Sequence, residues 1–212
     1  MTKKNLDVYI FEQLRDRMLA GAWGPGDRLD VDQLADDYQV SRTPVIQALR
    51  RMEDQGMIRV TRGGKFYLPA FSAREVEDIC AVLAVLEQEA IRLLAAGRGM
   101  PDELSILAQE LWHAVQREDR SACCRIEAEW HRRLVAAAGN GCLEECFSKA
   151  LGHYIAVCTA GAQAQASPLV AERMMELSQA LVRRDYTAVS EGLEDYLRFT
   201  CQSLCGKLME NR

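Results

Sequence analysis

Pro44 narrows the folds open to this chain more than any other residue. Proline lacks a backbone N–H and fixes φ at about −65°, so a helix tolerates it only in the first turn. Ser41, three residues earlier, is of a type that caps helix N-termini. Behind it, Val45, Leu49 and Met52 recur at i, i+4 and i+7. The spacing predicts a helix that starts at Ser41, ends at Gly56 and turns this stripe inward. Arg42, Thr43, Ile46, Gln47, Arg50 and Arg51 are left largely outward.

The flanking segments complete a pattern. Leu6, Tyr9, Ile10, Leu14 and Leu19 have helical spacing over 5–20, and the run from Gly21 to Gly26, with Pro25, stops that helix. A second short helix begins at Asp30 or Val31, with Leu34, Ala35 and Tyr38 on one face. After Gly56 come two β-prone runs, Met57–Val60 and Lys65–Leu68, around Thr61-Arg62-Gly63-Gly64. That reads as a hairpin. Helix, helix, recognition helix and hairpin, in that order, predict a winged helix-turn-helix, whose helix enters the DNA major groove while the hairpin reaches backbone or minor groove.

Beyond a linker at Pro69-Ala70-Phe71-Ser72 the chain reads as helices near 73–97, 101–117, 119–138, 140–160, 167–184 and 186–210. The breaks are Gly97-Arg98-Gly99-Met100-Pro101, Gly139-Asn140-Gly141, Gln165-Ala166-Ser167-Pro168 and Arg184-Asp185. Connections this short favour antiparallel neighbours in a bundle. The expected fold is mainly α: a winged helix-turn-helix with a small β-hairpin wing over 1–70, and an all-α antiparallel bundle over 71–212.

Charge is distributed in the same two parts. The chain carries a net −5. Residues 1–70 hold 11 basic and 10 acidic side chains, and residues 71–212 hold 15 and 21. Within 38–68, six cations stand against two anions. A basic segment on an acidic body suits a DNA reader whose other domain avoids phosphate. No run of about 18 apolar residues occurs, so no membrane span is expected. The N-terminus lacks a secretory pattern, and a cytoplasmic location is expected.

The sequence resembles the GntR family of bacterial regulators through Gly26-Asp27-Arg28-Leu29, Gln33-Leu34-Ala35, Val40-Ser41-Arg42-Thr43-Pro44-Val45, Ala48-Leu49-Arg50-Arg51-Met52-Glu53 and Gly56-Met57-Ile58. The C-terminal part is similar to the helical FCD domain of the family's FadR-like branch, through Glu127, Trp130, His131, Leu134 and Ala137-Ala138-Gly139-Asn140. The resemblance implies a homodimer on a palindromic operator in double-stranded DNA, acting as a repressor, with its affinity modulated by a small molecule in the helical domain.

The expected DNA-binding residues are Ser41, Arg42, Thr43, Gln47, Arg50, Arg51, Arg62 and Lys65. Arg42 suits a guanine or a phosphate, Gln47 an adenine, and Ser41 and Thr43 a phosphate at the helix N-terminus. Arg50 and Arg51 suit backbone or neighbouring bases, and Arg62 and Lys65 sit on the wing. The family commonly has arginine at two further DNA-facing places. Here those are Asp32 and Ile46. Replacing two cations should lower affinity and flatten its salt dependence.

Many FCD domains hold a metal with one Asp and three His. By the resemblance those places are Glu127, His131, Met174 and Tyr196. A thioether and a phenol are poor partners for zinc or manganese, so the site reads as degraded and no metal or other cofactor is expected. Glu127 and His131 are expected either to pair in the pocket or to leave His131 as a satisfied core histidine. Leu83 stands where an arginine often faces the pocket. The expected effector pocket is therefore Leu83, Glu127, His131, His153, Met174 and Tyr196, with Tyr154 beside it, and the expectation is an apolar or neutral ligand, or none.

Two other readings compete. An enzyme would need a nucleophile–base set, a phosphate loop or paired carboxylates, and none is present among these motifs. A redox or soft-metal sensor would use Cys142, Cys146, Cys201, Cys205 and Met174. Against it, no C-x-x-C occurs, and the eight cysteines also read as small buried apolar residues.

Overall fold

The computed structural model describes residues 3–97, 103–160 and 167–210. The expected breaks at 98–101 and 165–166 lie outside them.

The chain begins with α1 (Lys3–Leu19), β1 (Arg28–Leu29), α2 (Val31–Asp37), α3 (Arg42–Asp54), β2 (Arg59–Val60) and β3 (Phe66–Tyr67). Asp30 caps α2 by accepting from the N–H groups of Asp32 and Gln33. Ser41 has the extended backbone of a cap for α3, yet its hydroxyl makes no capping bond. Gly56, with φ at +76°, ends α3 in a conformation that side chains with a Cβ rarely adopt. On α3, Val45, Ala48, Leu49 and Met52 are buried. On α1 the inward set is Ile10, Phe11, Leu14, Met18 and Leu19, whereas Tyr9, expected inward, is exposed.

The hairpin is shorter than expected and gains a strand. β3 lies between β1 and β2 in an antiparallel sheet, with Leu29 and Val60 both opposite Phe66. Pairing with β1 ties the segment before α2 to the wing.

Six helices follow: α4 (Ala73–Ala95), α5 (Leu104–Gln116), α6 (Arg120–Ala137), α7 (Gly141–Ala160), α8 (Pro168–Val182) and α9 (Tyr186–Glu210). Ser72 and Glu75 form a capping box that starts α4. One apolar cluster joins Ile91 and Leu94 of α4 with residues of α5, α6, α8 and α9 around Trp130 and Tyr196. The other does not stop at the linker. It runs from Ile10, Leu49 and Leu68 through Phe71, Val76 and Leu83 to Phe147, Leu151 and Leu204. The winged part and the near half of the bundle therefore share one core.

In that shared core α7 packs directly on the backbone at the end of α3. A Cβ built on Gly152 would lie 1.6 Å from the Gln55 carbonyl oxygen, and one on Gly56 would lie 2.7 Å from the His153 ring. Glycine at both places lets the two chains meet.

Candidate nucleic-acid interface and buried cavity

The reading face is built on α3 and the turn between β2 and β3. Burial of the Val45–Met52 stripe leaves Ser41, Arg42, Thr43, Gln47 and Arg50 exposed. Arg62 and Lys65 are exposed at the wing tip, where the Thr61 N–H donates to the Lys65 carbonyl at 3.0 Å and closes the turn. Ile46 is half-buried beside this face.

Two of these cations have carboxylate partners. Arg42 pairs with Asp32 of α2 at 3.1 Å. Arg50 pairs with Glu53 at 2.7 Å and lies over the Phe66 ring. Arg51 departs from the set. Its guanidinium stacks on Phe11 of α1, 4.5 Å from the ring centre, and lines a cleft between the winged part and the bundle.

The second site lies inside the bundle. Leu83 and Glu87 of α4, His131 of α6, Phe147, Leu151 and Tyr154 of α7 and Leu197 of α9 line a small cavity, too narrow for a water molecule. Glu87 is fully buried and its Oε1 lies 2.5 Å from His131 Nδ1. The other atom of each group, Glu87 Oε2 and His131 Nε2, is buried with no hydrogen-bond partner. Burial disfavours a charged imidazole, but the charge and hydrogen bond of Glu87, with the charge of Glu127, outweigh it and raise the His131 pKa above its ordinary value.

Glu127 is engaged elsewhere. Its Oε1 accepts from the Tyr154 hydroxyl at 2.9 Å and from the Tyr196 hydroxyl. Burial first, then neighbouring charge, holds both phenols well above their usual pKa, so both remain proton donors. Met174 is fully buried in the far core beside α5 and α6.

The expected pocket residues thus divide. Leu83 and His131 line the cavity, as does Tyr154. Tyr196 stands behind it, its ring 5.3 Å from the His131 ring. His131 pairs with Glu87 rather than with Glu127. His153 faces the opposite way on α7, against Gly56, where burial, Arg59 and Lys149 lower its pKa. The expected set lacked Phe147, Leu151 and Leu197 of the lining and, among polar residues, Glu87. Its signal was a carboxylate on the same helical stripe as Val76, Cys80, Leu83, Ala90 and Leu94.

A metal does not fit this arrangement. Among the described residues, no three of His, Cys, Asp and Glu converge in a way that could hold an ion. Glu127 and His131 are committed to other partners, and Met174 packs in the core. The four cysteines expected of a sensor do not come together either. Cys142 and Cys146 are exposed on α7, while Cys205 is buried beside Cys80 and Cys201, between α4 and α9. No helix among the described residues is long and apolar enough to cross a membrane.

Comparison with known proteins agrees with both halves. The model of the family described as "Bacterial regulatory proteins, gntR family" matches residues 7–68, and that of the FCD domain matches residues 78–199. The Nta operon transcriptional regulator of Aminobacter aminovorans is 32% identical over 118 residues, 55% of this chain and 56% of that protein. The uncharacterized regulator YdhC of Bacillus subtilis is 26% identical over 63% of this chain and 61% of its own length. The chain thus spans about three-fifths of these two relatives. The regulator Mce2R of Mycobacterium tuberculosis is 26% identical over 99% of this chain and 95% of that protein. Among solved structures, Escherichia coli McbR/YncC has the same fold, with a TM-score of 0.82 at 20% identity, covering 98% of this chain and all of that one.

Proposed function

The chain belongs to the GntR family of bacterial transcriptional regulators, with an FCD domain behind the DNA-binding part, and from that premise we propose that it represses transcription as a homodimer on a palindromic operator and releases it in response to a small molecule. The family consists of DNA-binding regulators, not enzymes.

What carries the reading is the joint exposure of Ser41, Arg42, Thr43, Gln47 and Arg50 on one helix, with Arg62 and Lys65 on the adjacent wing. Ser41 and Thr43 hold phosphate at the N-terminus of α3, Arg42 and Gln47 reach base edges, and the wing cations hold the backbone. Arg51, turned towards Phe11, has no part in it.

The effector binds between Glu87 and His131. His131 Nε2 and Glu87 Oε2 are both buried and unsatisfied. With Leu83 in the wall and no free cation lining the cavity among the described residues, the pair selects a neutral polar ligand that hydrogen-bonds to both atoms. Such a ligand widens the cavity by pushing on α7, whose Phe147, Leu151 and Tyr154 form one wall. The opposite side of α7 carries Gly152, seated on the end of α3. Moving α7 therefore moves the support of the recognition helix.

The test is to incubate the protein with sheared DNA from its own genome at physiological salt and to sequence the bound fragments. A small set sharing a palindrome is expected. Recovery of nothing above background would overturn the reading. For the effector, calorimetric titration showing tight binding of a dicarboxylate together with stoichiometric zinc would exclude a neutral ligand.

A further inference from the structure

A second cavity lies between the winged part and the bundle. It is an open cleft of about 600 Å³, within the size range of small-molecule sites, which often form at domain interfaces. Arg15 of α1 and Arg51 of α3 enter it from one side, and Arg125 and Arg132 of α6 from the other. Arg125 and Arg132 are seven residues apart, two helical turns, and so share a face of α6. Arg15 pairs with Asp16, and Arg132 with Glu129. Arg51 and Arg125 have no carboxylate partner among the described residues. The rest of the wall mixes Glu12, Glu129, Gln55 and Ser148 with apolar side chains such as Phe11, on which Arg51 stacks, so four guanidinium groups face two carboxylates and the cleft stays cationic.

Four guanidinium groups around a half-apolar cleft, two of them without a carboxylate, form a receptor for an anion. Arginine is suited to this work because its planar fork binds carboxylate or phosphate in two parallel hydrogen bonds. We propose that the interdomain cleft is a second ligand site, separate from the Glu87–His131 cavity, and that it takes an organic anion with one phosphate or carboxylate and an aromatic or apolar body. The anion lies between Arg51 and Arg125, and the body packs towards Phe11. Because these cations come from both sides, the ligand bridges the DNA reader and the bundle and adds to the contact between Gly152 and Gln55.

Phenyl phosphate has this chemistry and serves as the probe. Isothermal titration into the full-length protein is expected to show one saturable site per chain, with benzyl alcohol, the uncharged counterpart, giving none. Arg125→Gln changes an exposed side chain outside the reading face. It is expected to weaken phenyl phosphate by about tenfold or more, the worth of one charge-assisted hydrogen bond, and to leave DNA binding without the probe unchanged. Glu87→Gln is expected to leave the affinity for the probe as it was, which separates this site from the buried cavity. Absence of saturable binding, or binding undiminished by Arg125→Gln, would overturn the proposal. So would weaker DNA binding by Arg125→Gln in the absence of the probe, since the cleft would then hold DNA backbone.

Discussion

Arg42 Nε lies 3.1 Å from Asp32 Oδ1, so the first cation of the recognition helix is partly neutralised by the helix before it. Both side chains are about two-thirds exposed, at 66% and 69%. Exposed pairs of this kind contribute little to stability, about 0–1 kcal/mol. Their effect falls on binding, because Arg42 must exchange Asp32 for DNA, and Asp32 itself repels phosphate.

Asp32→Asn is accordingly expected to tighten DNA binding about 3- to 10-fold at low salt and to steepen the fall of affinity with salt, with little change in melting temperature. Fluorescence anisotropy over a salt series measures both. Unchanged affinity and slope would mean that Asp32 lies too far from the DNA to matter.

The contact of Gly152 with Gln55 leaves no room for a methyl group. Gly152→Ala would place a Cβ 1.6 Å from a backbone oxygen, and a backbone cannot swing aside as a side chain can. Overpacking of this kind costs about 1–3 kcal/mol. The urea midpoint should fall accordingly, and operator affinity should change as well, since the oxygen belongs to the residue that ends α3. Stability equal to that of the native chain would show that α7 and α3 are not in tight contact in solution.

The buried pair sets a pH dependence. Folding raises the His131 pKa above its ordinary value of about 6.5, so the folded chain binds this proton more tightly than the unfolded one. The resulting stability is fully present below about pH 6.5 and is lost as pH rises through the higher folded value. Urea unfolding between pH 6 and pH 8.5 should show native stability declining with pH. In Glu87→Gln burial acts on His131 without its main counter-charge, and that decline should flatten or reverse.

Thiol chemistry should divide the cysteines. Burial, then neighbouring charge, pushes Cys123 and Cys205 up to about 11 and Cys124 up to about 12, and raises Cys80 and Cys158 as well. The thiolate is the reactive form. At neutral pH a disulfide reagent should therefore label the exposed Cys142 and Cys146 quickly and these five only on unfolding. Fast labelling of Cys80 or Cys205 in the native protein would contradict this.

The helices were legible because each has its own local signal. Pro44 and Ser41 mark the start of α3 and Gly56 its end, and the linker Pro69-Ala70-Phe71-Ser72 marks where α4 begins. Strand β1 was not legible. Arg28 and Leu29 have no pattern of their own, and they become a strand only by pairing with Tyr67 and Phe66, far along the chain. On α1, helical spacing fits Tyr9 as well as Phe11 and Met18, and only packing on α3 chooses between them. In the buried site, spacing along α6 made Glu127 the natural partner of His131. The actual partner, Glu87, comes from α4, and Glu127 turns to two phenols from α7 and α9. Which carboxylate meets which imidazole depends on how the helices are rotated against one another, and no single helix records that.

The apolar cluster that passes from α1 and α3 through the linker into α4 and α7 limits how such a regulator can diversify. A DNA reader joined by a loose tether could be exchanged between proteins as a cassette. This one could not. A graft that changed the operator would strip Phe11, Leu68 and Phe71 of their neighbours unless it brought a matching α7 surface with it. New DNA specificity is therefore reached more cheaply by point changes on the exposed face of α3 than by recombination at the linker.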